Sequence, residues 1–89
     1  MTSKLFDNLP LSRQEIDTLA VVAYRQPIIA EVIQKLCKES SVNILSQLVR
    51  RGILNVEWET RNEKLVAVYR TTERFLELLH INSLEYEQN

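Results

Sequence analysis

Residues 12–27, SRQEIDTLAVVAYRQP, encode a helix whose two ends are both marked in the sequence. Ser12 and Glu15 form a capping box, in which the hydroxyl accepts from a first-turn N–H and the carboxylate reaches back to the N–H of Ser12. Pro27 cannot continue the helix, and it moves the residue before it out of the helical region. These signals predict a helix over residues 13–25.

The apolar surface of this helix extends around its whole circumference. Residues 19–24 are six consecutive apolar residues, and at about 100° per residue they go all the way round the helix. A small monomer rarely leaves a large contiguous apolar patch open to water. Either the helix is central and its own chain covers it, with the lead-in at 1–11 contributing, or another polypeptide covers its outer side.

The segments that follow predict two further helices, a hairpin and a closing helix. They are helices over about 29–37 and 41–51, strands over 54–59 and 64–70 joined by a polar turn at 60–63, and a helix over about 73–80. Gly52 is expected in the left-handed conformation just past the third helix. Thr71 or Thr72 is expected to cap the last helix, and Ser40 or Ser41 the third.

This order of elements predicts an α+β fold that is mainly α with a small β hairpin. We predict a winged helix-turn-helix with a three-helix core, a two-stranded wing and a closing C-terminal helix. The alternative is an irregular α+β domain in which the hairpin joins a third strand near Ile28 and Ile29. The predicted organisation is a lead-in at 1–11, a winged-helix domain at 12–84 and a frayed tail at 85–89.

Length and charge narrow the class of protein. Eighty-nine residues make one small domain, with 45% hydrophobic and 26% charged residues. The net charge of −1 gives no general attraction to nucleic acid or to an anionic membrane. The sequence has no apolar run long enough for a membrane span or a signal peptide. These features predict a soluble, cytoplasmic domain.

No pattern typical of catalysis, cofactor binding or metal binding occurs. The single glycine, Gly52, excludes the P-loop and the dinucleotide-binding fingerprint. The single cysteine, Cys37, excludes an internal disulfide and a cysteine-based metal cluster, and it is expected to pack as a small hydrophobe. His80, near a helix C-terminus, is expected at the surface. We predict a protein that is not an enzyme and holds neither cofactor nor metal.

DNA binding is the alternative function, because many winged helices read DNA with the exposed side of the third helix. That side carries Asn43, Gln47 and Arg50 here; Asn and Gln can pair with adenine, and Arg with guanine. Two observations argue against this function. Glu57 and Glu59 on the wing repel phosphates, and the chain has 12 acidic residues but only 11 basic ones. Direct DNA binding is therefore expected to be weak or absent.

A protein partner is the favoured ligand, because two segments have more apolar surface than one core needs. They are the first helix and the strand at 65–69, which is apolar on both faces. The predicted partner-binding residues are Val21, Tyr24 and Ile28 on and just after the first helix, and Trp58 and Val66 on the wing. Tyr24 and Trp58 are residue types that often anchor interfaces. We expect Tyr24→Ala to weaken partner capture more than stability.

Three segments carry a resemblance to a known family: LSRQEIDTLAVVAYRQP (11–27), QLVRRGIL (47–54) and VYRTTERFLELLHINSLE (68–85). The most specific parts are the Ala-Tyr-Arg-Gln-Pro run, Arg51-Gly52, and the run from Tyr69 through Thr71-Thr72 to Phe75-Leu76. The chain resembles the second, C-terminal winged-helix domain of segregation and condensation protein B (ScpB), a non-Smc subunit of the bacterial Smc–ScpAB condensin. The similarity covers residues 11–84.

The resemblance implies a non-enzymatic adaptor in chromosome condensation and segregation. It would bind the kleisin ScpA and, through it, Smc, in the cytoplasm at the nucleoid. In this family the C-terminal winged helix docks proteins and the N-terminal one mainly dimerises, so a homodimer is left open. Arg25 and Gln26 belong to the family signature, either as a polar tie to the following loop or as partner contacts. The wing lacks the family's glycines and its Gly-Arg-Pro run, so its tip is expected to differ in shape.

Overall fold

The computed structural model describes residues 9–37 and 41–88, with side chains described as far as residue 81. Within these residues the chain forms four helices and three strands. In order they are α1 (Arg13–Arg25), β1 (Ile28–Ile29), α2 (Ala30–Cys37), α3 (Ser41–Arg50), β2 (Leu54–Arg61), β3 (Lys64–Thr71) and α4 (Glu73–Gln88). This arrangement is the predicted winged helix, with α1 to α3 as the helical core and β2 and β3 as the wing.

Helix α1 begins and ends as the sequence predicts. The N–H of Glu15 donates to the Ser12 hydroxyl at 3.2 Å, and the N–H of Ser12 donates to the Glu15 carboxylate at 2.8 Å. At the other end Gln26 is extended, with φ −59° and ψ 145°, and the Gln26–Pro27 peptide bond is cis. The capping box and the proline therefore set both ends of α1.

Most of the apolar circumference of α1 lies inside the domain. The buried residues of the helix are Ile16, Thr18, Leu19, Ala20 and Val22. The helix packs against α2, α3 and β3, and the core that surrounds it includes Leu48 from α3 and Phe75 from α4. Other elements of the same chain thus cover most of the apolar surface of α1, for which the sequence left open a covering by the chain itself or by a partner.

The sheet has three antiparallel strands in the order β1-β3-β2, one more than the predicted two-stranded wing. Ile28 pairs with Tyr69 and Ile29 with Val68, so the third strand that we predicted only for the alternative fold is present within the winged helix. Ile28 and Ile29 are β-branched residues, which favour strands, and they pair with β3 on the side that faces away from β2. As the central strand, β3 has neighbours on both sides, and Val68 is fully buried.

The wing is a hairpin that is longer, and has a tighter turn, than predicted. Its strands pair from Leu54 with Thr71 to Arg61 with Lys64, so the turn contains only two residues. These two residues, Asn62 and Glu63, have φ of 51° and 64°. Two consecutive left-handed residues are typical of the type I′ turn, whose twist matches that of a hairpin. The wing tip makes this turn with Asn62 and Glu63, although it lacks glycine.

Gly52 and Thr72 join α3 to the beginning of α4. Gly52 has φ 76°, as predicted for the residue after α3. The Thr72 hydroxyl donates to the carbonyl of Gly52 at 2.5 Å and accepts from the N–H of Phe75 at 3.3 Å. Thr72 rather than Thr71 is therefore the cap of α4. Of the two serines considered for α3, Ser41 is its first helical residue, and Ser40 lies outside the described residues.

The predicted end of the last helix, at residue 80, is wrong. Helix α4 continues to Gln88, so residues 85–88 of the predicted frayed tail lie in the helix. Residues 81–88 contain no glycine or proline, the residues that most strongly end helices. In the lead-in, Leu9 is buried in the core and Leu11 packs against it, whereas Leu5 and Phe6 lie outside the described residues.

Candidate functional site

An open groove of about 190 Å³ lies between the wing and the start of α2. It is lined by Ile29, Ala30, Glu31, Trp58, Leu65, Val66 and Ala67. Trp58 is 66% exposed and Leu65 is 67% exposed. Two large apolar side chains beside one groove form a surface typical of a contact with another molecule. We call these seven residues the wing groove.

The strand register explains why Trp58 is exposed. Trp58 lies opposite Ala67, and Thr60 opposite Leu65, so these residues share one face of the sheet. Nearer the helices the same face carries Leu54, which is 2% exposed and belongs to the core. The apolar alternation along β2 therefore continues beyond the core and leaves Trp58 in solvent. Val66 lies on the opposite face of the sheet, because neighbouring residues of a strand alternate.

A second depression, of about 370 Å³, lies between α1, α2 and α3. It is lined by Gln14, Asp17, Thr18, Val21, Leu36, Cys37 and Ile44. Burial raises the pKa of the Cys37 thiol; a hydrogen bond with Thr18 lowers it, and the charge of Asp17 raises it again, with a net upward shift. The thiol therefore stays protonated at neutral pH and is a poor nucleophile.

The structure does not bring the five predicted partner-binding residues onto one surface. Trp58 and Val66 line the wing groove, and Val21 lines the second depression. Tyr24 is 64% exposed near the C-terminal end of α1 and lines neither. Ile28 is only 5% exposed and belongs to the core, because β1 directs it to the same face as its partner Tyr69. Ile28 therefore lies beneath the surface, and its predicted contact with a partner stays a prediction.

Five of the seven residues of the wing groove were not among the predicted site residues, and two of these five, Leu65 and Ala67, lie on β3. The signal for them was the alternation of Leu65, Ala67 and Tyr69 along one strand. This pattern shows that the residues share a face, but Tyr69 packs against the core whereas Leu65 is exposed. Only the position of the helices along the hairpin distinguishes these two ends of the strand.

The predicted DNA-reading residues, Asn43, Gln47 and Arg50, are all exposed on α3. Gln47 and Arg50 line a shallow depression together with Arg51 and Glu15. The Arg51 guanidinium lies 3.6 Å from the Glu15 carboxylate. A carboxylate thus lies at the edge of the surface where DNA phosphates would have to bind, which weakens its attraction for them.

The arginines of the wing also lie beside carboxylates. Arg70 is 2.8 Å from Glu57, and Arg61 is 3.1 Å from Glu59. Arg61, which flanks the two-residue turn at the wing tip, therefore already has an acidic neighbour. The wing presents paired charges rather than a basic patch, in agreement with the net charge of the chain.

Gln26 is a structural tie between α1 and β3. Its side-chain amide donates to the carbonyl of Ala23 at 3.2 Å, and its carbonyl oxygen accepts from the N–H and the hydroxyl of Thr71 at 2.9 and 3.1 Å. The sequence left open whether Gln26 makes a polar tie to the following loop or contacts a partner. The structure shows a polar tie, but to Ala23 and Thr71 rather than to that loop. Arg25, the other signature residue, is exposed.

We expect Gln26→Ala to lower the free energy of unfolding by about 1 kcal/mol, because the N–H of Thr71 loses its acceptor. Urea denaturation followed by circular dichroism measures this change. Gln26→Glu keeps the acceptor oxygens and should recover most of the loss. Gln34→Ala, at an exposed position of α2, is the matched control, and equal effects of Gln26→Ala and Gln34→Ala would contradict the assignment of Gln26 as a tie.

Two kinds of feature are absent from the described parts of the chain, 9–37 and 41–88. These parts contain no group of three or more His, Cys, Asp or Glu side chains placed to hold a metal ion. None of their helices combines the length and the apolar character that crossing a membrane requires.

A known protein family matches nearly the whole of this chain. The family described as "Segregation and condensation complex subunit ScpB" matches residues 2–86. Segregation and condensation protein B of Streptococcus equi subsp. equi is 35% identical over 81 residues, which are 88% of this chain and 44% of that protein. This chain thus spans less than half the length of that relative.

Solved structures agree in fold. ScpB from Mycobacterium tuberculosis has a TM-score of 0.67 and 33% identity, covering 75% of this chain and 41% of that one. The PcaV transcriptional regulator from Streptomyces coelicolor has a TM-score of 0.69 over 96% of this chain and 64% of that one, but only 12% identity. The likeness to PcaV shows the fold alone. The extent of the family match, together with the identity to the streptococcal protein, shows that this chain belongs to the ScpB family of segregation and condensation complex subunits.

Proposed function

We propose that this chain is a non-enzymatic adaptor module that binds a kleisin subunit of the ScpA type and, through it, an Smc protein. In this proposal it corresponds to the second winged-helix domain of ScpB and acts in chromosome condensation and segregation, in the cytoplasm at the nucleoid. Membership of the ScpB family supports a role in chromosome condensation and segregation. The chain spans 44% of its streptococcal relative, in agreement with one of two domains.

The observation that carries the docking role is the exposure of Trp58 and Leu65 beside the wing groove. Large apolar side chains exposed together beside a groove are typical of interaction sites, and tryptophan is one of the residue types that most often dominate binding energy in interfaces. The proposed docking surface is therefore the wing groove, with Trp58 and Val66 kept from the sequence prediction and Leu65 added. Val21 and Tyr24 are proposed as outlying contacts, and Ile28 supports the surface from the core.

The alternative function, a DNA-binding regulator that uses Asn43, Gln47 and Arg50, has no specific observation in its favour. The PcaV regulator shares the fold at 12% identity, and one fold serves many functions. The ion pairs at Glu15, Glu57 and Glu59 lower the positive potential that phosphate binding needs.

Isothermal titration calorimetry with the purified ScpA-type kleisin of the same organism tests the proposal. We expect saturable binding of the kleisin and no binding of duplex DNA in a parallel titration at low salt. The adaptor role is rejected if the kleisin gives no binding signal while DNA binds with a counterion-release slope of several units.

A further inference from the structure

The shallow depression at the C-terminal end of α3 contains an arginine whose charge is not offset. The depression has a volume of about 200 Å³ and is lined by Glu15, Gln47, Arg50 and Arg51. Arg51 forms an ion pair with Glu15, at 3.6 Å. Arg50 is exposed, and its side chain makes no ion pair or hydrogen bond within the described residues. We call this site the α3 depression; it combines a free guanidinium with the amide donor of Gln47.

Glu15 fixes the position of Arg51. One oxygen of its carboxylate, Oε1, accepts from the N–H of Ser12 at 2.8 Å, and the other, Oε2, lies 3.6 Å from Nη1 of Arg51. The Arg51 side chain is nonetheless 45% exposed. Because a guanidinium has several N–H donors, Arg51 keeps donors for a further acceptor. A side chain that is already held in place loses less conformational entropy when it binds a ligand.

Two further features favour an anion at the end of α3. The side chain of Arg74, in the first turn of α4, lies against Gly52 and has no ion pair within the described residues. The last carbonyls of a helix are a source of negative potential. Here the carbonyls of Leu48 and Val49 already accept from the N–H groups of the two residues after Arg51, at 3.0 and 2.9 Å, which weakens that potential.

We infer that the α3 depression binds a carboxylate group on an acidic segment of the partner protein. Arg50 holds the carboxylate through paired N–H···O bonds, because the planar guanidinium matches the two carboxylate oxygens. The Gln47 amide and the remaining donors of Arg51 complete its hydrogen bonds. None of the residues of the wing groove lines the α3 depression, so this contact is additional to the apolar one. The identity of the partner as a kleisin rests on the proposed function.

The distribution of charge favours an acidic peptide over a nucleic acid. Affinity for DNA grows with the number of phosphates that basic residues neutralise. The arginines of the wing lie beside Glu57 and Glu59, so they add little to a phosphate-binding surface. The net charge of −1 gives a polyanion no general attraction either. One or two carboxylates, by contrast, require only the arginines at the end of α3.

Isothermal titration calorimetry of the kleisin with two variants of this chain tests the inference. Arg50→Gln removes the free guanidinium. Lys35→Gln is the matched control, because it removes one positive charge from an exposed position of α2 outside the depression. At low salt we expect Arg50→Gln to weaken kleisin binding by about tenfold and Lys35→Gln by less than about twofold. In roughly 1 M salt the loss for Arg50→Gln should shrink to about twofold, because ions screen an exposed charge pair.

The result also separates this inference from the proposed function. Both variants are expected to fold, since neither side chain makes an ion pair within the described residues. If the kleisin binds and the two variants lose equal affinity, or the loss for Arg50→Gln is the same at both salt concentrations, the carboxylate contact is wrong and the adaptor role stands. If the kleisin does not bind, both are wrong. If a DNA duplex titrated in parallel binds and Arg50→Gln weakens only the duplex, the depression is a phosphate site and the inference is overturned.

Discussion

Replacing Leu19 with alanine is expected to lower the free energy of unfolding by about 3 to 4 kcal/mol. Leu19 lies in the middle of α1, its side chain is 0% exposed, and it belongs to the core formed with α3 and α4. Removing it loses the transfer free energy of the buried atoms and leaves a cavity. Because domains of this size have only about 5 to 10 kcal/mol of stability, the loss should be large in a urea denaturation curve.

Leu76→Ala is the control for this measurement, since it makes the same chemical change on α4 at a side chain that is 59% exposed. We expect it to change the stability by less than about 1 kcal/mol. The comparison also distinguishes the two explanations of the apolar surface of α1. If Leu19→Ala were no more destabilising than Leu76→Ala, the helix would not be central to the isolated domain, and its covering would have to come from a partner.

The ends of most elements could be predicted because local sequence sets them. The capping box at Ser12, the proline at position 27 and the glycine at position 52 act within a few residues of where they stand. Their geometry in the structure is the predicted one. Where such a signal was missing, as after residue 80, the predicted end of the helix was wrong.

The third strand and the burial of Ile28 depend on contacts between distant parts of the chain. A run of two isoleucines after a proline fits a strand, a turn or the start of a helix equally well. Ile28 pairs with Tyr69, which lies 41 residues later in the chain. This pairing makes the segment a strand and directs the Ile28 side chain into the core. The same pairing accounts for the apolar character of both faces of β3, which the sequence alone also allowed to be explained by a partner.

The candidate site could be predicted only in part, for a related reason. Apolar alternation along β2 and β3 indicates which residues share a face, but not where along the strands the helices stop covering that face. Leu54 and Trp58 lie on the same face of β2, yet Leu54 is in the core and Trp58 is exposed to solvent. Trp58 was selected as an interface residue by its type, whereas Leu65 became a candidate only when the structure placed it at the wing groove.

Replacing Trp58 with alanine is expected to weaken binding of the ScpA-type kleisin by about 30-fold, or about 2 kcal/mol. Trp58 is 66% exposed, and among the described residues of the wing groove it is the largest side chain. Burying it against a partner removes a large apolar area from water, and truncation to alanine forfeits that gain. Calorimetric titration of the variant against the wild-type chain measures the change.

The stability of the Trp58→Ala variant decides how its binding loss is interpreted. Trp58 lies on an edge strand and its cross-strand neighbour is Ala67, so we expect the free energy of unfolding to change by less than about 1 kcal/mol. Leu76→Ala serves again as control, because it removes exposed apolar surface outside the wing groove and should leave kleisin affinity within about twofold of wild type. Equal losses of affinity in the two variants would show that the kleisin does not bind at the wing groove, even if it binds elsewhere on the domain.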